Sequence, residues 1–189
     1  MSRILAAILA GLLFAGAALA QATGAAPATH PGTKLSFPPA LGGATFQQSF
    51  AAGAGKEASY SYHYLTPNKM QIAVYVYDAG RRVPSGGDNP TIISQFSAEL
   101  SLAEQGIKSN GITNFERPAV PSHCTYGGIA FRCIVFSGST QGGRLFSKML
   151  LTGFRDYYVK IRIDWAQADG RTVVDADQVL QAFVPALMH

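Results

Sequence analysis

Asp156 to Trp165, DYYVKIRIDW, is the stretch that most restricts this chain. Val159, Ile161, Ile163 and Trp165 alternate with Lys160, Arg162 and Asp164. Successive side chains of a β-strand point to opposite faces, so the run reads as a strand with its apolar residues inward and its charged residues outward. One strand cannot bury a face alone, so others must lie beside it.

They can be found by the same period. Ser59 to Tyr64 places Tyr60, Tyr62 and Tyr64 on one face and Ser59, Ser61 and His63 on the other. Met70 to Tyr77 alternates again, and the Pro67-Asn68 turn between the two makes an antiparallel hairpin. Thr45 to Ala51, a strand holding Cys124, Ala130 to Ser137 and Arg144 to Thr152 complete the strand candidates. Two stretches have helical spacing instead. Asn89-Pro90 caps a run through Ile92, Ile93, Phe96, Leu100 and Ala103 to about Gln105, ended by Gly106. Thr172, three residues before Asp175, opens a second helix that should weaken near Pro185. The expectation is an α+β domain: an antiparallel sheet of six to seven strands flanked by two main helices. Strand and helix do not alternate regularly, which argues against a parallel nucleotide-binding fold.

The chain's beginning sets its compartment. Arg3, an apolar run from Ile4 to about Phe14, and Ala18-Leu19-Ala20 form a secretory signal peptide over residues 1–20, cleaved before Gln21. A retained membrane anchor is the rival reading. No cysteine near the cleavage point offers a site for lipid. Residues 21–34 read as a flexible leader containing His30, and residues 35–189 as one domain. Without Arg3 the net charge is about +3, from scattered basic residues, which gives no footprint for nucleic acid. The expected location is the periplasm, as a soluble protein.

The two cysteines, Cys124 and Cys133, are then expected to meet as a disulfide. With Gly128-Ile129 as the turn, they fall directly opposite each other, close to the shortest Cα separation a disulfide accepts. Closing so short a loop stabilises by roughly 2–3 kcal/mol. A redox pair would call for closer spacing at a helix start, and a zinc site for a second ligand pair.

Functional candidates are few. Arg81 and Arg82, before the first helix, form one anion or partner contact; Lys160 and Arg162, with Lys148 beside them, form another. Against them stand a solvated loop, and a sheet edge in water or covered by a helix. The tyrosines from Tyr60 to Tyr77 either line an aromatic groove or pack on the sheet. Ser137-Gly138-Ser139-Thr140 lacks the nucleophile-turn pattern. The four histidines suggest no base, and no catalytic, metal or cofactor motif appears.

FPPALGG (Phe37 to Gly43), AVYVYDAG (Ala73 to Gly80) and LTGFRDYYVKIRID (Leu151 to Asp164) resemble elements of small exported proteobacterial proteins. The element order resembles the PsbP-like fold, which includes DcrB-like periplasmic proteins. The likeness spans most of Leu35 to Leu187. It implies helices flanking an antiparallel sheet and a non-enzymatic accessory or binding domain; it transfers no site residue. The expected function is therefore binding of a protein or small ligand. The alternatives are a hydrolase-like periplasmic enzyme with dispersed residues, and a carrier of an anionic or aromatic ligand. A deep polar pocket joining His63 or His123 to a carboxylate would favour the enzyme.

Overall fold

The computed structural model describes residues 21–23, 28–53 and 58–188; the expected signal peptide lies outside them. The strands are β1 (Gln21–Thr23), β2 (Ala28–Thr29), β3 (Ser36–Phe37), β4 (Ala40–Leu41), β5 (Ala44–Ala52), β6 (Ser59–Leu65) and β7 (Gln71–Tyr77). Helix α1 (Pro90–Ser109) follows, then β8 (Thr113–Glu116), β9 (Ser122–Tyr126), β10 (Ile129–Thr140), β11 (Gly143–Phe154), β12 (Tyr157–Ala166) and helix α2 (Val173–Met188).

The expected sheet is corrected in size. Ten strands join one antiparallel sheet in the order β1-β5-β6-β7-β12-β11-β10-β8, with β4 on β5 and β9 on β10. The sheet curls into a half-barrel, and strand accounts for 48% of the chain, so the protein is mostly β with two helices. The strands absent from the expectation are β1, β4 and β8, of two to four residues each. They are too short for an alternating pattern to show. β2 and β3 pair with each other in a separate ribbon.

β12 lies at the middle of the sheet, between β7 and β11. Val159, Ile161 and Ile163 are fully buried and join Leu150, Val74 and Val76 against Leu180, Phe183 and Val184 of α2. The opposite face carries α1: Phe96, Leu100 and Ile107 pack on Ile134, Phe136, Met149, Leu151 and Tyr158. The strand is thus covered on both sides.

Asn89 caps α1 as expected, its Oδ1 accepting from Ile92 N at 3.0 Å. The helix runs past Gly106 to Ser109, because Ile107 still has a buried seat against the sheet. At α2, Thr172 and Asp175 form the reciprocal cap, at 2.8 and 3.3 Å. α2 also continues through Pro185 to Met188. Proline forfeits one backbone bond, and burial of Leu187 and Met188 offsets the loss.

The β9–β10 turn uses Gly127-Gly128, both at positive φ (57° and 80°), with Tyr126 opposite Ile129. This is the conformation that two-residue hairpins of the I′ type require of both central residues. The turn lies one residue earlier than expected, so Cys124 faces Phe131 and Cys133 faces Ser122. The cysteines are diagonal neighbours instead of direct partners. They are joined in a disulfide with Cα atoms 6.2 Å apart, well above the short separation expected of a facing pair.

Candidate functional site

Lys160 and Arg162, read as a partner contact or else as a sheet edge in water or under a helix, lie beneath α1 with 6% and 7% exposure. The carboxylate that makes this tenable is Glu99, which interrupts the apolar stripe of α1. Lys160 Nζ donates to Glu99 Oε2 at 2.6 Å. Tyr77 Oη and Gln95 Nε2 donate to Oε1 at 2.5 and 3.0 Å. The Lys160 ammonium also stands 4.3 Å from the centre of the Tyr75 ring. Two residues along the same strand face, Arg162 Nε donates to Asp164 Oδ1 at 2.8 Å and to Ser147 Oγ at 2.9 Å.

The electrostatics follow from burial. Desolvation pushes the Glu99 carboxyl up, but the Lys160 ammonium and the Tyr77 and Gln95 hydrogen bonds outweigh it, so the group titrates below the ordinary carboxylate range. Desolvation pushes Lys160 down, and Glu99 only partly opposes that. Burial drives the phenols of Tyr75 and Tyr77 up; Glu99 adds to the rise at Tyr77, whereas at Tyr75 Arg162 acts against it and Asp164 and Glu99 with it. Two cations face two carboxylates, so the cluster is balanced. Its Lys160–Glu99 half fastens α1 to the sheet, and its Arg162–Asp164 half borders a small pocket with Phe136, Leu145 and Ser147.

The other candidates are dispersed. Arg81 donates to Tyr158 Oη at 2.7 Å, while Arg82 pairs with Asp156 at 3.0 Å with its side chain 87% exposed. The two guanidinium groups therefore serve separate partners. Lys148 does not join Lys160: its register opposite Ile163 turns it to the α2 face, where it pairs with Asp177. Tyr62 and Tyr64 are core residues, with Tyr62 stacked on Phe37. Ser137 to Thr140 continue β10 without a sharp turn. Among the described residues no group of three or more His, Cys, Asp or Glu could hold a metal ion.

His63 contacts Ser61 Oγ at 3.2 Å, and burial lowers its pKa against the pull of Asp164. His123 meets the Asp88 carboxylate, the pairing that orients a general base. Both side chains are more than half exposed, and Arg132 approaches the other ring nitrogen at 2.8 Å. That guanidinium covers the lone pair a base would use.

An open groove of about 430 Å³ lies where the β11–β12 hairpin ends against the start of α2. Phe146, Trp165, Gln167, Arg171, Thr172 and Val173 line it. Phe146 and Trp165 stack with ring centres 5.6 Å apart and planes at 11°. Trp165 is 4% exposed, and its Nε1 and the Nε of Arg171 have no hydrogen-bond partner among the described residues. Alternation alone reads Trp165 only as the last apolar residue of its strand. Its one polar atom, an N–H that needs an acceptor when buried, is the signal in the sequence for something more.

No known family matches the chain, and no curated protein does. Among solved structures it aligns with LpqN, involved in cell envelope biogenesis of Mycobacterium tuberculosis. Identity is 15%, TM-score 0.38, and the alignment covers 86% of this chain and 88% of that one. So distant a likeness carries no argument about function. None of these comparisons supports the PsbP-like, DcrB-like resemblance, which rests on the three sequence stretches and the element order. Among the described residues no helix is long and apolar enough to cross a membrane.

Proposed function

We propose that this chain is an exported, non-catalytic binding domain of the periplasm that holds a small ligand in the groove at Trp165. The groove carries the reading. Its size falls in the range of small-molecule sites, and its lining is mainly apolar with a few polar groups, as such sites require. The stacked Phe146–Trp165 pair supplies a flat floor. The indole N–H and the Arg171 Nε beside it are buried donors without an acceptor, which a ligand would have to reach by a small shift of the lining. The matching ligand is an aromatic or apolar molecule bearing an acceptor oxygen. Of the acids beside the groove, Asp175 is held by the Thr172 cap and Asp169 lies 4.0 Å from Lys69. The signal peptide and the disulfide support export.

Trp165 is the only tryptophan, so its fluorescence reports directly on the groove. The test titrates the mature protein with aromatic carboxylates, fatty acids and neutral aromatic compounds, and compares its native mass with its denatured mass. A saturable change in emission that weakens at least tenfold in Arg171→Ala is the expected result. Unchanged emission across all three classes, with no mass lost on denaturation, overturns the reading.

A further inference from the structure

His30 is buried to 1% exposure in the segment Ala28 to Phe37, which the sequence presents as part leader. The segment is held in several ways. His30 N donates to Leu35 O at 2.9 Å and Lys34 N donates to His30 O at 3.0 Å. Arg155 Nη1 donates to Thr33 O at 2.7 Å. Gly32 lies so close to Tyr157 that a Cβ would stand 2.1 Å from the phenol oxygen. Phe37 stacks on Tyr62 with ring centres 3.5 Å apart. The imidazole sits edge-on between Tyr60 and Tyr157, at 4.8 and 5.0 Å.

The ring is chemically committed to neutrality. Nδ1 accepts from the Thr33 amide at 2.9 Å, so the neutral ring carries its proton on Nε2. Nε2 is buried and has no hydrogen-bond partner among the described residues. A second proton must go to Nδ1, where it would face the Thr33 N–H, a donor fixed in the backbone. The Thr33 hydroxyl, 3.0 Å away, can turn to accept, but the amide cannot turn. Asp78 is the acid that would favour the charged ring; Lys34 opposes it, and the faces packed against the ring are the phenols of Tyr60 and Tyr157.

We infer that Ala28 to Phe37 is a proton-sensitive strap: taking up a proton at His30 releases it from the sheet and uncovers the aromatic floor of Tyr60, Tyr62 and Tyr157. Burial first, and Lys34 after it, lower the His30 pKa to about 4, with Asp78 acting against them. The released segment regains the ordinary histidine value near 6.5. The free strap therefore binds the proton more readily than the docked one. Docking is fully favoured above about pH 6.5 and lost as the pH falls towards 4.

The test is hydrogen exchange on the mature chain at pH 7.5 and pH 5, corrected for intrinsic rates. Protection of the Thr33, Lys34 and Leu35 amides should fall about thirtyfold, while β7, β11 and β12 keep theirs. In His30→Gln the strap's protection should no longer depend on pH. The same dependence persisting in His30→Gln overturns the inference. Should that variant leave the strap open at every pH, the ring carbon shifts of wild-type His30 decide. Titration near 4 supports the strap, and titration near 6.5 with amide protection unchanged refutes it.

Discussion

The two faces of β12 are the same length and lie in the same strand, yet they are stabilised by opposite means. Towards α2, Val159, Ile161, Ile163 and Trp165 meet an apolar helix stripe, and the gain comes from removing hydrocarbon from water. Towards α1, Lys160 and Arg162 exchange their water for Glu99, Asp164 and Ser147, and Tyr77 in turn donates to Glu99. An apolar face tolerates imperfect partners. A buried charge does not, because losing one partner leaves the other desolvated and unpaired. The first face should therefore fail in proportion to the volume removed, and the second according to whether charge stays balanced.

The largest effect is expected from Phe183→Ala. Phe183 is fully buried and meets Tyr64 edge-on at 5.2 Å. Truncation should cost about 4 kcal/mol in urea unfolding. A loss under about 1 kcal/mol would mean that α2 is not the main support of the sheet.

Next comes the charge cluster. Lys160→Met strands Glu99 beneath α1 and should cost about 3 kcal/mol. Converting both partners, Glu99→Leu with Lys160→Met, should restore most of it. A double variant as unstable as the sum of the singles would show that the pair is not coupled, and the contrast between the faces would fall. Acid gives the same cluster a second readout. Because Glu99 titrates below its unfolded value, its contribution is complete above the ordinary carboxylate range and disappears as the pH falls through the folded value. The acid limb of the wild type should flatten in the double variant.

The contrast also explains what could be read from the sequence. Val159, Ile161 and Ile163 were legible as core because alternation of apolar residues has one common cause. Lys160 and Arg162 obey the same period, but a charged row fits either solvent or a matched helix. The deciding residue, Glu99, lies 61 positions earlier in the chain. It was visible as a carboxylate inside the stripe Phe96, Leu100, Ala103, and its partner was not. The Cys124–Cys133 pairing was legible from compartment and proximity. Its register was not, since Gly127-Gly128 and Gly128-Ile129 are both good turns and only packing chooses. The groove at Trp165 needs the end of β12 and the start of α2 together, and no local pattern announces such a meeting.

Reduction of the disulfide should cost less than either change above, about 2 kcal/mol. Cys133 is buried on the α2 face, so Cys124→Ser with Cys133→Ala removes the crosslink without placing a hydroxyl in the core, and Cys133→Ala under reducing conditions measures the part due to the lost sulfur. Unchanged urea stability in the double cysteine variant would assign the hairpin's order to packing alone.

The smallest effect gives the sharpest comparison, because one chemical change can be made on both faces. Tyr77 and Tyr126 each donate to a carboxylate at 2.5 Å, Tyr77 to Glu99 on the α1 face and Tyr126 to Asp177 of α2. The side chain of Glu99 is 9% exposed and that of Asp177 is 41% exposed. Deleting the hydroxyl from Tyr126 lets water reach Asp177 in its place. Deleting it from Tyr77 leaves Glu99 with Lys160 and Gln95 but admits no water. Tyr77→Phe should therefore cost about 1.5 kcal/mol and Tyr126→Phe about half of that. Equal losses in paired urea unfolding curves would mean that water reaches Glu99 after all, and that α1 sits more loosely on its face of the sheet than α2 does on the other.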